Sequence, residues 1–374
     1  MKITVKTVIL LYFAAFLFLY STSAEGAEKP KISANSAVLM DGETGQIIFE
    51  HRGFIRSEPA SLTKIMTAII ALEYGHSDEI VTIGKKPANI SVGQELQLTR
   101  GDRITLENLI KAALLYSAND STVAIAQHIS GDEEEFIGLM NAKAVALGAL
   151  NTRFANTNGY HHPNHYSTAY DLALITRYAL SNSKFTEIVS MKEATIYWAD
   201  GEKQRTLGNT NRLVRNNSYE GIFGVKTGTT IRAGNCLVAA ARRNGRTLIA
   251  VVLHSRNRYK DATTLFDYGF YNVPIVNLCD KRQIIGSIPV SGGVRNQVKA
   301  VSEKEVNVYL TDDDKLKVTT KIISCAPLQA PIKAGQKLGT AVFFLKEREL
   351  ARVNLVAAEK VNKPGLLYKF KSAL

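Results

Sequence analysis

The order in which hydrophobic periodicities follow one another constrains this chain more than any other feature. Strand-like runs at Ser36–Asp41 and Gln46–Glu50 flank a turn at Gly42-Glu-Thr-Gly45 and read as an antiparallel hairpin. Helical spacing then holds from Ser61 to Tyr74, just after Pro59, and returns at Leu106–Ser117, Ser121–Ile129, Glu133–Leu147 and Ala169–Leu180. Strand-like runs come back at Gly221–Lys226, Asn235–Arg242 and Thr247–Leu253, followed by a helix-like stretch at Ala262–Phe270. Strands, a block of helices, then strands again predict an α/β or α+β domain whose sheet joins both ends of the segment. Past Cys279 the texture changes. Val306–Leu310, Leu316–Ile322 and Ala341–Leu345 alternate like half-exposed strands, with Asp312-Asp-Asp314 as a solvated turn. That stretch reads as a small all-β module.

The chain therefore divides into a main domain over 28–275, a β-rich domain over 280–360 and a short basic tail over 361–374. Residues 1–24 read as an export signal. Lys2 and Lys6 precede the apolar run Val8–Tyr20, and Ser21-Thr-Ser-Ala24 supplies the small residues of a cleavage point. The run is short of the roughly 20 residues that a membrane span needs. The mature protein is then expected in the periplasm or on the outer face of the cytoplasmic membrane. No Cys follows the run, which argues against lipid attachment. Of the three cysteines, Cys236 reads as a small buried hydrophobe, and none has the spacing or setting of a nucleophile.

Formal net charge is +12, but 17 basic against 9 acidic residues lie between Asp280 and Leu374, and the main domain is nearly neutral. A nucleic-acid binder would carry that surplus on its working domain, so nucleic acid is excluded as a partner. The surplus reads as solubility or as attraction to an anionic envelope surface.

Three short motifs carry the chemistry. In Ser61-Leu-Thr-Lys64, at a helix start, residues three apart share a face, so the Lys64 amine can reach the Ser61 hydroxyl. A serine is a weak nucleophile until a base takes its proton, and a lysine is a base only when burial or a second cation keeps it neutral. Ser181-Asn-Ser-Lys184 fits the same pattern and is assigned to a solvated loop. In Ser117-Ala-Asn119, a locally extended segment would point both polar tips into one cleft, Ser117 to relay a proton and Asn119 to hold a substrate amide. Its bland reading is a helix cap and turn. In Lys226-Thr-Gly228, followed by Thr229 and riding a strand, Gly228 would let a substrate backbone approach, and Lys226 and Thr227 would bind a carboxylate. The backbone N–H groups of Ser61 and Thr229 would form an oxyanion hole. Singly each motif favours the bland reading. In this order, with a helix after the first and a strand at the third, they do not.

With these motifs the chain resembles the low-molecular-mass penicillin-binding proteins, serine-type D-alanyl-D-alanine carboxypeptidases of the S11 peptidase family. The resemblance extends through Asp41-Gly-Glu-Thr-Gly45, Pro59–Thr67, Leu115–Asp120, Leu139–Ala144, His165-Tyr-Ser-Thr-Ala169, Gly224–Thr230 and Asp267-Tyr-Gly-Phe270. It implies a β-lactamase/transpeptidase-like domain with a β-rich C-terminal domain. The family's nucleophile falls on Ser61, its general base on Lys64, its relay serine on Ser117 and its third-motif lysine on Lys226. Counting back 12 residues from Phe270 places the family's carboxylate-binding arginine on Arg258. The implied substrate is a peptidoglycan stem peptide ending in D-Ala-D-Ala, with β-lactams as covalent inhibitors and no cofactor. Two departures stand out. Thr229 occupies a position where many relatives carry His or an aromatic residue. Leu366–Leu374 is a stub where many end in a membrane-anchoring helix, too brief to anchor firmly unaided, so the expected membrane contact is peripheral.

A β-lactamase would need a deacylating Glu in a Glu-x-x-x-Asn-like loop, which 120–225 lacks. Endopeptidase or transpeptidase activity would use the same acyl-enzyme and stays an alternative. Tyr160-His-His-Pro-Asn-His165 lacks metal-ligand spacing, so no metal is assigned to it. Tyr197 and Trp198 mark a hairpin, and Asn209-Thr-Asn211 reads as a turn, with hydrogen bonding beside the cleft as its second reading.

Overall fold

The computed structural model describes residues 28–325 and 327–365. The expected export signal and the stub from Leu366 lie outside the described residues. Along the chain, strands β1 (Ser36–Asp41) and β2 (Ile47–His51) form the expected hairpin. A short 3-10 turn, Ala60–Thr63, leads into helix α1 (Lys64–Tyr74). Strands β3 (Ile80–Thr82) and β4 (Arg103–Thr105) precede helices α2 (Asn119–Ser130), α3 (Glu133–Ala146) and α4 (Ala169–Ala179). The hairpin β5 (Glu193–Trp198) and β6 (Lys203–Gly208) follows, then β7 (Ile222–Thr230), β8 (Gly234–Arg243), β9 (Arg246–Ser255) and helix α5 (Arg258–Asp267).

The main sheet runs in the order β2-β1-β9-β8-β7 and is antiparallel throughout, so β1 from the start of the domain pairs with β9 near its end. Its inner strands are apolar on both faces because both are covered. Val38, Met40, Val238, Ala240, Ile249 and Val251 join one core, while Ala37, Leu39, Leu237, Ala239, Leu248 and Val252 join a second core under α5. Helix α1 is buried from Lys64 to Ala71, which explains why it is apolar nearly all round. A second, small sheet, β3-β4-β5-β6, includes the hairpin expected at Tyr197 and Trp198.

From Ile275 onward a six-stranded sheet and a two-stranded ribbon enclose a separate hydrophobic core, from Val276 to Val361. The two parts are tied by Gln46, whose amide exchanges hydrogen bonds with the Tyr309 backbone, and by Arg246 stacked 3.5 Å over the Tyr309 ring. Asp312–Lys315 is the expected solvated turn, wound as one helical turn that buries no residue and that the Thr311 side chain caps at Asp314 N–H. The Ser181–Lys184 copy of the first motif is not a loop. Asn182 caps a helix over Ser183–Ser190, and Lys184 pairs with Glu107 and Glu187. No helix among the described residues is long and apolar enough to cross a membrane.

Candidate active site

Ser61 lies in the 3-10 turn rather than in the helix proper. That turn has three residues per revolution, so side chains at i and i+3 eclipse, and Lys64 Nζ comes within 3.0 Å of Ser61 Oγ. Two further contacts fix the amine: Lys64 Nζ donates to Asn119 Oδ1 at 2.7 Å and to the Asn158 carbonyl at 2.8 Å. Both partners can only accept, so a neutral Lys64 spends its two N–H bonds on them and turns its lone pair to the Ser61 hydroxyl. Lys64 is held well below the usual lysine range, first by complete burial and then by the nearby Lys226 ammonium, against a smaller opposing pull from Asp120.

Ser117 sits where the helix Leu106–Lys111 widens into a π-turn over Ala112–Tyr116 and stops. Its φ of 72° is left-handed, the conformation that ends helices, usually on Gly or Asn. The expected extended segment is therefore absent. The left-handed stop and the start of α2 at Asn119 together bring both residues to the cleft. Ser117 Oγ makes no hydrogen bond among the described residues. Asn119 holds Lys64 with its oxygen and the Val92 carbonyl with its amide nitrogen. Its oxygen and one amide N–H are thus engaged by protein, and the second N–H remains for the substrate contact that the sequence reading assigns to Asn119. Ala60, before the nucleophile, also has positive φ, at 48°, so backbone strain falls on both motifs.

The third motif rides β7, which is the edge strand of the main sheet. A Cβ on Gly228 would stand 3.0 Å from Ser61 N and 3.1 Å from Pro59 O. The close approach that requires glycine is therefore between β7 and the nucleophile turn, not only between β7 and a ligand. Lys226 is fully buried, with its Nζ donating to the Thr227 carbonyl at 3.1 Å. Burial first, and Arg258 second, pull it down to about 7. Like the Lys64 side chain, it is fully buried beneath the residues that line the cleft, near enough for its charge to bear on Lys64. Thr227 Oγ1 donates to Thr210 Oγ1 at 2.8 Å. Arg258, at the first turn of α5, uses one terminal nitrogen to hold Gly228 O, Thr229 Oγ1 and Cys236 O.

Ser61, Ser117, Asn119, Thr227, Gly228, Thr229 and Arg258 line one cleft of about 720 Å³, a volume suited to a small peptide end. Sequence reasoning missed three contributors. Gly159 (φ +89°) packs so tightly that a Cβ there would lie 1.8 Å from the Ala60 carbonyl, and Asn158 supplies a Lys64 acceptor. The Asn-Gly pair was the available signal, as a turn marker. Thr210 stands on the cleft wall, so the second reading of Asn209-Thr-Asn211 holds for it. Asn209 and Asn211 are buried and brace backbone carbonyls at Val189, Met191 and Gly224.

His165 is the third. Its Nδ1 accepts from Ala155 N–H, so Nε2 carries the proton and donates to Thr63 Oγ1 at 2.8 Å. Thr63 in turn donates to Ala60 O, which fixes the nucleophile turn from below. Burial, with a smaller push from His162, lowers His165 from 6.5 to about 4. The unfolded chain then binds more protons than the folded one between those values, so stability is lost as pH falls from 6.5 to about 4, by about 3 kcal/mol. Urea titrations at pH 7 and pH 4 should show this loss in the wild type and a smaller one in His165→Gln. Equal losses in both would contradict it. Among the described residues no cluster of three metal-ligating side chains occurs, and the three cysteines are free, Cys236 and Cys279 buried and Cys325 exposed.

Residues 23–257 match the S11 peptidase family model, described as D-alanyl-D-alanine carboxypeptidase, and residues 276–363 match the C-terminal domain of penicillin-binding protein 5. The chain is 31% identical over 377 residues to the D-alanyl-D-alanine carboxypeptidase DacF of Bacillus subtilis, covering 98% of this chain and 95% of that one. It is 31% identical over 371 residues to DacC of Escherichia coli, covering 94% and 91%. Among solved structures, penicillin binding protein 5 from Haemophilus influenzae superposes with a TM-score of 0.72 at 30% identity, over 90% of this chain and 100% of that one. A DD-transpeptidase from Streptomyces K15 superposes at 0.62 and 35% identity, over 65% and 99%. Nucleophile turn, buried amine and edge-strand motif thus occur in a chain that matches such enzymes from end to end, and it belongs to the S11 family of D-alanyl-D-alanine carboxypeptidases.

Proposed function

We propose that this protein removes the terminal D-alanine from peptidoglycan stem pentapeptides through an acyl-enzyme on Ser61, and that it does so outside the cytoplasmic membrane after export. The observation that carries the reading is the three-way fixation of Lys64, which leaves its lone pair on Ser61 Oγ. Lys64 takes the hydroxyl proton as Ser61 Oγ attacks the carbonyl carbon of the penultimate D-alanine. The oxyanion forms between the N–H groups of Ser61 and Thr229, where preorganised donors are worth about 3 kcal/mol each. The peptide C–N bond then breaks, and Ser117 passes a proton from Lys64 to the leaving amine. Water then attacks the ester carbonyl, its oxygen going to the peptide and one of its protons, by way of Lys64, to Ser61 Oγ as the C–O bond breaks and frees the shortened peptide. The uncommitted nitrogens of Arg258 hold the chain-end carboxylate, joined by Thr227 and Thr229 once their hydroxyls turn from Thr210 and the Gly228 carbonyl. Lys226 helps keep Lys64 neutral. A β-lactam enters the same sequence and stays on Ser61 because its ester hydrolyses slowly.

Incubation with a synthetic stem pentapeptide should release one D-alanine per peptide, and an intact pentapeptide after prolonged incubation would overturn the proposal. Similarity to a DD-transpeptidase favours one second reading, in which an amine replaces water at the ester. An added acceptor amine would then appear in the product.

A further inference from the structure

The cleft that holds Ser61 is also lined by Arg212, Arg215 and Arg232 besides Arg258, and no aspartate or glutamate lines it. Arg212, Arg215 and Arg232 are exposed, and their side chains make no hydrogen bond or ion pair among the described residues. Exposed arginines elsewhere are mixed, since Arg52, Arg100 and Arg256 also lack a partner among the described residues, and what distinguishes these three is that they line one cleft with no carboxylate in it. Arg103, Arg295 and Arg352 each pair with a carboxylate. Glu58, a carboxylate placed near the site, is taken up by His161.

The placement of the three is specific. Arg212 and Arg215 lie on the short helical turn Arg212–Arg215, which Thr210 fastens to β7 at Thr227. Asn211 caps that turn and anchors it to Gly224 O, so the pair is set rigidly beside the motif strand. Arg232 projects from the tight connection between β7 and β8, with Ile231 beside it fully exposed. Cations therefore stand at more than one place along the open edge of β7, where an extended peptide would lie. A chain-end carboxylate supplies a single negative charge, which Arg258 and the threonines suffice to hold. Three guanidiniums remain with nothing to meet.

We infer that this arginine rim recognises at least one further free carboxylate on the peptide, N-terminal to the bond that is cut. The inference rests on the proposed carboxypeptidase reading and deepens it by naming a substrate class. Two sources share the chemistry: a carboxylate on the side chain of the third residue, and an α-carboxylate left free at the second residue by a side-chain linkage. A free carboxylate takes charge-assisted, forked hydrogen bonds from arginine, whereas a carboxamide at the same atom loses the charge and one acceptor.

The test uses the full chain and three stem pentapeptides: one with both carboxylates free, one amidated at the third residue and one at the second. D-alanine release gives kcat/KM for each. The free acid should exceed one of the two amides by about tenfold at low salt, and which amide suffers names the source. The preference should shrink at high ionic strength, since these arginines are exposed. In Arg212→Gln/Arg215→Gln or in Arg232→Gln, the acid-to-amide ratio should fall toward one. Penicillin labelling of these variants shows whether Ser61 is still reactive, and so separates a lost subsite from a damaged fold. Equal kcat/KM for acid and both amides in the wild type, or an unchanged ratio in both variants, overturns the inference and leaves the carboxypeptidase reading standing. No D-alanine from any peptide overturns both.

Discussion

Replacing Lys64 by methionine is expected to slow acylation of Ser61 about 10⁴-fold, whether the acyl donor is a stem peptide or a penicillin. Methionine is unbranched and ends one atom short of the lysine nitrogen, so it fills most of the same buried channel while the base is lost. The effect on stability should be small by comparison. Removing a fully buried amine relieves its desolvation, while Asn119 Oδ1 and the Asn158 carbonyl lose a donor. Those two terms oppose each other, and water from the cleft can reach both acceptors. The melting temperature should therefore stay within a few degrees of wild type while the second-order rate of penicillin labelling collapses. A variant that labels within tenfold of wild type would show that another group takes the proton.

Gly159→Ala is expected to damage the same reaction from a distance in sequence. The added Cβ would stand 1.8 Å from the Ala60 carbonyl oxygen and 2.9 Å from Ser61 N, and the backbone there is left-handed at φ +89°. Something must move, and the atom in the way is the backbone of the nucleophile turn. Overpacking and left-handed strain together should cost about 3 kcal/mol of stability. A shift of Ser61 by about 1 Å should cost about 100-fold in acylation. Gly101→Ala separates the two contributions, because Gly101 has a similar φ of +92° and open space around its position. That control should lose about 1 kcal/mol by thermal melting and keep its labelling rate. If Gly159→Ala behaved like the control, the close packing of Asn158-Gly159 on the nucleophile turn would have no catalytic consequence.

The sheet and its helices were legible because burial there imposes periodicity. The continuous apolar runs Cys236–Ala241 and Leu248–Leu253 sit in strands covered on both faces, and the hairpin at Gly42–Gly45 announces itself by its turn residues. Ser61 and Lys64 were readable from spacing, since eclipsing at i and i+3 is a local property. What spacing does not encode is contact between distant segments. Asn119 meets Lys64 across 55 positions, Asn158 across 94, and His165 meets Thr63 across 102. A lone asparagine or histidine in a loop carries no local sign of such a partner. Lys226 illustrates the same limit from the other side. Its motif implies a residue of the site, and only the three-dimensional path of β7 shows that its amine is fully buried and donates to the Thr227 carbonyl. Ser117 was found for a geometry it does not have: the segment is a left-handed helix stop, which reaches the cleft as an extended strand would have.

The central claim is that the Ser61 oxygen becomes covalently acylated because an uncharged amine lies against it. Mass spectrometry after exposure to a penicillin tests this most directly. The wild-type chain should gain the mass of one intact penicillin, and proteolysis should map that mass to the peptide containing Ser61. Ser61→Ala should gain none. An adduct on Ser61→Ala, or a wild-type adduct on any other side chain, would contradict the account.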